Sequence, residues 1–203
     1  AETLLLQLLR GAGVKGLAAM PLLRKDEGGR MKAEGKGGRE GHPSILRPLL
    51  DVTRQEILEY AKERRLKWVE DESNQDVYFQ RNFIRHEVLP VIARRFPAYR
   101  GTLARAAGHL AEAARVLDEL AEADSAGQFE DGTLAVAALR RLPPARGRSL
   151  LRYFLACPGV AMPNVERLEQ ALRQALTAKQ DAQVAVAMGD FTLRRHAGRV
   201  HLL

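Results

Sequence analysis

The chain has 203 residues, of which 46% are hydrophobic and 28% charged, the proportions of a globular protein, which exclude a largely disordered chain. Its single cysteine, Cys157, excludes a disulfide framework, and no apolar run approaches the roughly 18–20 residues of a membrane span. We therefore expect a cytoplasmic protein. The net charge is +7, and residues 77–105 hold six arginines against one glutamate. A basic cluster of this kind favours a polyanionic partner such as nucleic acid.

The first 43 residues predict a helix, a glycine loop and an insertion. Leucines line one face of the helix, which is in register from the second residue and should end at Gly11. The chain does not begin with methionine, so we interpret it as part of a longer protein. Residues 24–43 contain six glycines, many charges and little apolar surface. This composition cannot offset the entropy of ordering, so we expect a mobile insertion.

Residues 44–69 predict a short strand (S-I-L-R-P-L-L), a capped helix and an extended segment. Thr53 and Glu56 form the capping-box pattern at the start of a helix over about 54–65. This helix should turn three residues inward: Ile57, Tyr60 and Ala61. Residues 66–69 then read as extended.

An acidic turn precedes the next predicted helix. Asp71, Ser73 and Asn74 are turn and cap formers, and a helix over about 79–95 follows, which Pro90 should bend. Its predicted buried stripe consists of Ile84, Val88, Val91 and Ile92.

Beyond Pro97 the chain predicts a long helix followed by a small α+β region. The helix, over about 100–124, should bury Leu103, Leu110 and Leu117 with Ala106, Ala113 and Leu120 between them. The small alanines favour a helical bundle over a coiled coil. A brief strand near 134–136, helices over about 144–156 and 163–176, and alternating apolar residues from 184 to 202 complete the chain. The alternation predicts a small antiparallel sheet.

Two motifs have weak functional value. Residues 11–16 match G-x-G-x-x-G but follow a helix instead of a strand, so we reject a dinucleotide site and retain only a flexible turn beside a ligand. Asp71, Glu72 and Asp76 are potential Mg²⁺ ligands, but capping or pairing with arginine is the favoured interpretation. The histidines and cysteine show no zinc-site spacing.

Arg81 and Arg85 are the most informative pair. Like charges four residues apart disfavour a helix by roughly 0.2–0.5 kcal/mol, so we expect a negatively charged group to compensate the two arginines. In one interpretation the acidic turn 70–76 neutralises them, and in the other they bind a phosphate or a developing negative charge. Asn82 and His86 lie on the adjacent strip of the helix, where surface hydrogen bonding is favoured over acid–base chemistry for His86.

Three blocks carry a family resemblance: A-E-T-L-L-L-Q-L-L-R-G-A-G-V-K-G-L-A-A-M at 1–20, R-P-L-L-D-V-T-R-Q-E-I at 47–57, and W-V-E-D-E-S-N-Q-D-V-Y-F-Q-R-N-F-I-R-H-E-V-L-P at 68–90. In these blocks the chain resembles tRNA(Ile)-lysidine synthetase, of the ATP-pyrophosphatase superfamily. The resemblance implies a ligase that joins free lysine to C2 of the wobble cytidine of tRNA(Ile), whose anticodon is CAU, after ATP-dependent adenylation of that base. ATP and Mg²⁺ are the implied cofactors, and a homodimer stays open.

The resemblance also implies the fold. We expect a mainly α protein with small β elements, in which residues 1–98 are the C-terminal part of an α/β domain (Rossmann-like, adenine nucleotide hydrolase-like). Residues 99–203 should form a linker helix and a helical α+β substrate-binding domain that contacts the tRNA.

The site residues carry over one by one. Glu2 matches the glutamate of the family's H-x-x-D-D-Q-A-E-T helix, directed toward lysine or magnesium, and Arg85 matches the functional arginine of R-N-x-x-R-H. The implied pocket residues are Arg10, Gly11, Gly13, Gly16, Arg81 and Asn82. Asp71 and Asn74 belong to the D-x-S-N turn, which should fix geometry more than perform chemistry. Weaker expectations for the tRNA backbone are Arg94, Arg95, Arg100 and Arg105.

The family's ATP loop, S-G-G-x-D-S, does not occur in these 203 residues. We therefore expect that the chain alone cannot adenylate tRNA. Two alternatives stay open. One is another tRNA-modifying ATP pyrophosphatase such as a thiolase, against which the lone Cys157 counts; the other is a non-catalytic RNA-binding module.

Overall fold

The computed structural model describes residues 1–18, 20, 23–25, 44–125, 127–130, 132–157, 162–178 and 184–203. Most of the predicted insertion at 24–43 therefore lies outside the described residues. Its first two residues belong to β1 (Leu23–Lys25), which pairs antiparallel with β2 (Ser44–Leu46). None of the described helices is long and apolar enough to cross a membrane.

The chain forms two compact units. The first comprises Ala1–Lys25 and Pro43–Ala114, and the second includes Arg115–Leu203, so the division falls inside a long helix. The predicted domain boundary between residues 98 and 99 stays a prediction.

The first unit is built from short helices. They are α1 (Glu2–Leu9), α2 (Val14–Leu17), α3 (Arg54–Glu63), a 3₁₀ turn (Glu72–Gln75), α4 (Gln80–Phe83), a π-helical turn (Ile84–Val88), α5 (Leu89–Arg95) and the beginning of α6 (Tyr99–Ser125).

The predicted capping box of α3 is confirmed, but its predicted inward face is wrong. The Glu56 N–H donates to Thr53 Oγ1 at 3.2 Å, and the Thr53 N–H donates to Glu56 Oε2 at 2.6 Å. No residue of α3 is buried, and both Ile57 and Tyr60 are exposed. Residues 66–69 are irregular and also exposed. Capping is a local interaction and could be predicted, whereas burial requires an element packed against that face.

The helix predicted over 79–95 is interrupted by the π-helical turn. The Leu89 N–H donates to the Ile84 carbonyl, five residues earlier. Pro90 next in sequence has no N–H, and its ring would crowd the carbonyl four residues before it. The wider turn moves the buried line by one position, so that Ile84 and Leu89 are buried while the predicted Val91 is exposed.

A small apolar cluster fixes α1 against this helical segment. Its buried members are Ile84, Leu89 and Tyr99, with Leu5, Leu6, Ile92, Ala93 and Leu103 packed around them. Leu4 of α1 is also buried. This packing brings the first turn of α1 to the residues around position 85.

The long helix extends over Tyr99–Ser125, close to the prediction, but buries a different line. The buried residues recur every seven positions as Ala107, Ala114 and Ala121. The predicted line of leucines lies three or four positions from these alanines along the helix, and Leu117 is exposed. Both lines have the same period, so the sequence pattern could not distinguish them.

The second unit is a two-layer α+β structure, as expected. Its elements are the second part of α6, β3 (Phe129–Glu130), β4 (Thr133–Ala135), α7 (Val136–Arg141), α8 (Pro144–Ala156), α9 (Val165–Thr177), β5 (Val184–Met188), β6 (Phe191–His196) and β7 (Arg199–Leu202). The strands form one antiparallel sheet in the order β3-β4-β7-β6-β5. Residues of α7, α8 and α9 pack against one face of the sheet in a shared apolar core.

Candidate active site

The glycine loop begins with a Schellman motif at the end of α1. The Ala12 N–H donates to the Gln7 carbonyl at 2.9 Å and the Gly11 N–H to the Leu8 carbonyl at 3.0 Å. Gly11 adopts φ of +71°, which a side chain would disfavour. A Cβ on Gly16 would lie 2.8 Å from the Ala12 Cβ, whereas a Cβ on Gly13 would meet nothing within 4 Å. Gly11 and Gly16 therefore have steric reasons for being glycine.

The carboxylate of Glu2 lies between the two arginines. Arg85 donates from Nε to Glu2 Oε1 at 2.8 Å and from Nη2 to Oε2 at 3.0 Å. Arg81 donates from Nε to Oε2 at 3.2 Å and from Nη2 to Thr3 Oγ1 at 2.8 Å. The like charges of the two arginines are thus compensated by an acid from α1. One carboxylate accepts three charge-assisted hydrogen bonds.

The site is partly shielded from water. The side chains of Glu2 and Arg85 are 25% and 28% exposed, and that of Arg81 is 51% exposed. Burial opposes ionisation of Glu2, but the hydrogen bonds and charges of Arg85 and Arg81 outweigh it and hold the Glu2 pKa below its ordinary value. The hydrogen bond to Glu2 raises the pKa of Arg85. Both groups therefore stay ionised near neutral pH.

The adjacent strip of the same helical segment holds the acidic turn. Asn82 is buried and donates from Nδ2 to the carbonyls of Ser73 at 2.8 Å and Asp76 at 2.9 Å. His86 Nε2 lies 3.0 Å from the carbonyl of Asn74, which can only accept, so Nε2 carries the proton in this contact. These side chains face the turn, and hydrogen bonding is the observed role of His86.

The carboxylates of the turn cap the backbone. Asp71 Oδ1 accepts from the Ser73 N–H at 2.9 Å, and Asp76 Oδ1 accepts from the Tyr78 N–H at 2.9 Å. Within the described residues no carboxylate of the turn 70–76 pairs with Arg81 or Arg85, whose ion pairs are both with Glu2, so the interpretation that the turn neutralises them is wrong. The hydrogen bond from Ser73 lowers the pKa of Asp71.

Arg10 lies at the other end of the segment and donates from Nη2 to Gln80 Oε1 at 2.8 Å. Sequence reasoning selected Arg10 but missed Gln80, as it missed Thr3 beside Arg81. Their position in the sequence could have indicated them, because Gln80 directly precedes Arg81 and Thr3 directly follows Glu2. The structure thus brings four predicted residues, Glu2, Arg10, Arg81 and Arg85, onto contacts between α1 and residues 80–85.

The arginines predicted for the tRNA backbone lie on α5 and α6. Arg94 and Arg95 occupy the exposed last turn of α5. Arg100 donates to Tyr99 Oη at 3.1 Å, and Arg105 donates to Thr102 Oγ1 at 3.3 Å. Their contact with RNA stays a prediction.

The described residues do not form a metal site. No group of three or more His, Cys, Asp or Glu side chains in the described ranges could hold a metal ion. Both oxygens of Glu2 already accept hydrogen bonds from arginine. This donor set therefore does not fit Mg²⁺.

Two family models match the chain. Residues 1–92 match the PP-loop domain, and residues 134–201 match the TilS substrate-binding domain. The first contains all described hydrogen-bond partners of the Glu2 side chain, and the second covers nearly all of β4 and β7 together with α7, α8, α9, β5 and β6. The chain therefore combines a match to the PP-loop domain with a match to the TilS substrate-binding domain.

Curated relatives that match almost the whole chain share one name. The tRNA(Ile)-lysidine synthases of Nitrosomonas europaea and Coxiella burnetii are 46% and 43% identical over 202 residues, which are 100% of this chain and 42% of each relative. The enzyme of the same name from Ralstonia nicotianae is 44% identical over 199 residues, 98% of this chain and 40% of the relative. The chain is therefore similar over almost its whole length to proteins named tRNA(Ile)-lysidine synthase. It spans about 42% of the length of these relatives, and the resemblance seen in the three sequence blocks is confirmed.

Proposed function

We propose that this chain is part of a ligase that joins free lysine to C2 of the wobble cytidine of tRNA(Ile), in the cytoplasm, with ATP as the activating substrate. The observation that carries the proposal is the Glu2–Arg85–Arg81 contact inside the PP-loop match. The names of the relatives favour this ligase over a thiolase or a non-catalytic RNA-binding module.

The arginines fit the anionic groups that such a reaction must hold. ATP, when bound, supplies the activation of the cytosine. Arg85 uses Nε and Nη2 on Glu2, while its Nη1 has no hydrogen-bond partner among the described residues. Planar guanidinium groups suit bidentate contact with phosphate oxygens. Arg81, Arg85 and Arg10 are therefore the side chains that we expect to hold the phosphate groups.

Glu2 has a positioning role in this proposal. Its carboxylate is ionised and accepts three hydrogen bonds, so it is a poor proton donor at neutral pH. By fixing both nitrogens of Arg85 it keeps that guanidinium in one orientation, which preorganises positive charge where negative charge develops. These contacts support a role for Glu2 toward Arg85 over a role as a magnesium ligand.

The test is lysine transfer by the protein that contains this chain. Incorporation of radiolabelled lysine should occur on a tRNA(Ile) transcript with a CAU anticodon and should require ATP. Arg85→Ala should reduce the rate by about two to three powers of ten, the scale for removing one oriented donor. A Glu87→Ala variant on the exposed side of the same segment is the matched control. ATP-dependent thiolation, or transfer that survives Arg85→Ala unchanged, would contradict the proposal.

A further inference from the structure

The sheet of the second unit has one face covered by helices and one face open. Along β5, Val184, Val186 and Met188 are buried while the alanines between them are exposed. Leu193 of β6 and Val200 of β7 are also fully buried in the core. Because strand side chains alternate between faces, the neighbours of these residues point away from the helices.

The open face carries a cluster of basic side chains from β6 and β7. We call it the β6–β7 basic face and define it as Arg194, His196, Arg199 and His201. Directly opposed pairs across the two strands are Arg194 with His201 and His196 with Arg199. On the other side of β6, Arg194 is opposite the small Ala185. Arg194 therefore has a basic side chain beside it on β7 and a small alanine side chain beside it on β5.

The strands that form this face carry basic side chains and no acidic ones. The three strands β5, β6 and β7 contain no Asp or Glu. Arg199 donates to Thr133 Oγ1 at 2.6 Å and to the Gln128 carbonyl at 2.9 Å, so it also ties β7 to β3 and β4. The Arg194 side chain is exposed, and it makes no hydrogen bond or ion pair with any residue in the part of the chain that the structure describes.

We propose that the β6–β7 basic face binds the phosphate backbone of RNA, with Arg194 as its main phosphate contact. The inference rests on the proposed function, since it names the surface by which the second unit would contact the tRNA. Arg194 and His196 are two residues apart on one strand, about 6.8 Å, a spacing of the order of that between successive phosphates. Arginine presents a planar fork that matches phosphate oxygens, and the neighbouring alanine leaves room for a backbone to approach.

The test is the salt dependence of RNA binding by the 203-residue chain. Fluorescence anisotropy with a labelled tRNA(Ile) transcript would be measured between about 50 and 200 mM salt. Arg194→Ala should reduce the slope of log K against log salt by about 1 and weaken binding about tenfold. Arg194→Lys should retain most of the slope because it retains the charge. Far-UV circular dichroism would confirm that each variant is folded.

Arg173→Ala is the matched control. Arg173 is an exposed arginine of α9, the helix whose buried residues face the sheet, so its removal lowers the net charge equally without touching the basic face. An Arg194→Ala slope equal to that of Arg173→Ala would overturn the inference, and so would equal competition by polyglutamate and RNA. Lysine transfer, measured separately, tests the proposed function, which would survive either result.

Discussion

The contact between Glu2 and Arg85 can be tested as a coupling energy. Glu2→Gln, Arg85→Ala and the double variant form a thermodynamic cycle for this pair, and Arg81→Ala replaces Arg85→Ala in a parallel cycle. The cycle isolates the interaction between two side chains because the other effects of each substitution cancel. Glu2→Gln keeps the shape of the side chain while it removes the charge.

The structure predicts unequal couplings. Arg85 makes two hydrogen bonds to Glu2 at 2.8 and 3.0 Å, and both side chains are about a quarter exposed. Hydrogen bonds to charged groups contribute about 1.5–3 kcal/mol each when buried, and the remaining exposure lowers this, so we expect about 2 kcal/mol for the pair. Arg81 makes one bond to Glu2 at 3.2 Å and is half exposed, and exposed ion pairs contribute at most about 1 kcal/mol.

Urea denaturation followed by tryptophan fluorescence is the assay. Trp68 is the sole tryptophan of the chain and lies in the first unit, so it reports on the unit that contains the site. The Arg85 coupling should exceed the Arg81 coupling by about 1 kcal/mol or more. Couplings of equal size, or an Arg85 coupling near zero, would show that Glu2 does not hold Arg85, and the positioning role would be lost.

Three further predictions follow from the same contacts. The arginine contacts lower the Glu2 pKa below its ordinary value of 4.5, so the stability that they add is complete above about pH 4.5 and is lost as the pH falls through the lowered pKa. Glu2→Gln should therefore flatten this part of the plot of urea midpoint against pH. An unchanged plot would contradict the pairing. Gly11→Ala should destabilise the first unit by about 1–2 kcal/mol because φ is positive, and Gly13→Ala, whose Cβ meets nothing, should cost much less in the same urea assay; equal costs would refute the steric argument. Asn82→Ala should cost about 1–3 kcal/mol because two carbonyls lose their donor, whereas exposed Glu87→Ala should stay within about 0.5 kcal/mol; a neutral Asn82→Ala would show that the turn does not depend on this side chain.

Most of the helices and strands could be predicted because their signals are local. The capping box at Thr53 and Glu56 involves residues three positions apart, and the helix over 144–156 was predicted with the bounds it has, Pro144–Ala156. The terminal sheet followed from apolar alternation. Each of these signals involves only a few neighbouring residues, so a short segment of the chain contains the whole pattern.

The buried faces were predicted less well. The π-helical turn at Ile84–Val88 adds one residue to a turn, and a pattern search that assumes a period of 3.6 selects Val88, whereas the next residue, Leu89, is the buried one. In α6 two lines of the same seven-residue period compete. Burial depends on what packs against a helix, which the spacing of its own residues does not contain.

The sequence by itself selected the candidate residues, since the three blocks of the family resemblance contain Glu2, Arg81 and Arg85, and the like-charged arginine pair predicted an anion beside it. Only the tertiary structure decided which anion compensates them, because Glu2 and Arg85 are 83 residues apart. The nearer acidic turn was the obvious candidate on sequence distance, but its carboxylates cap the backbone instead. Charge attraction acts through space, and the packing of α1 on the helical segment sets which charges meet.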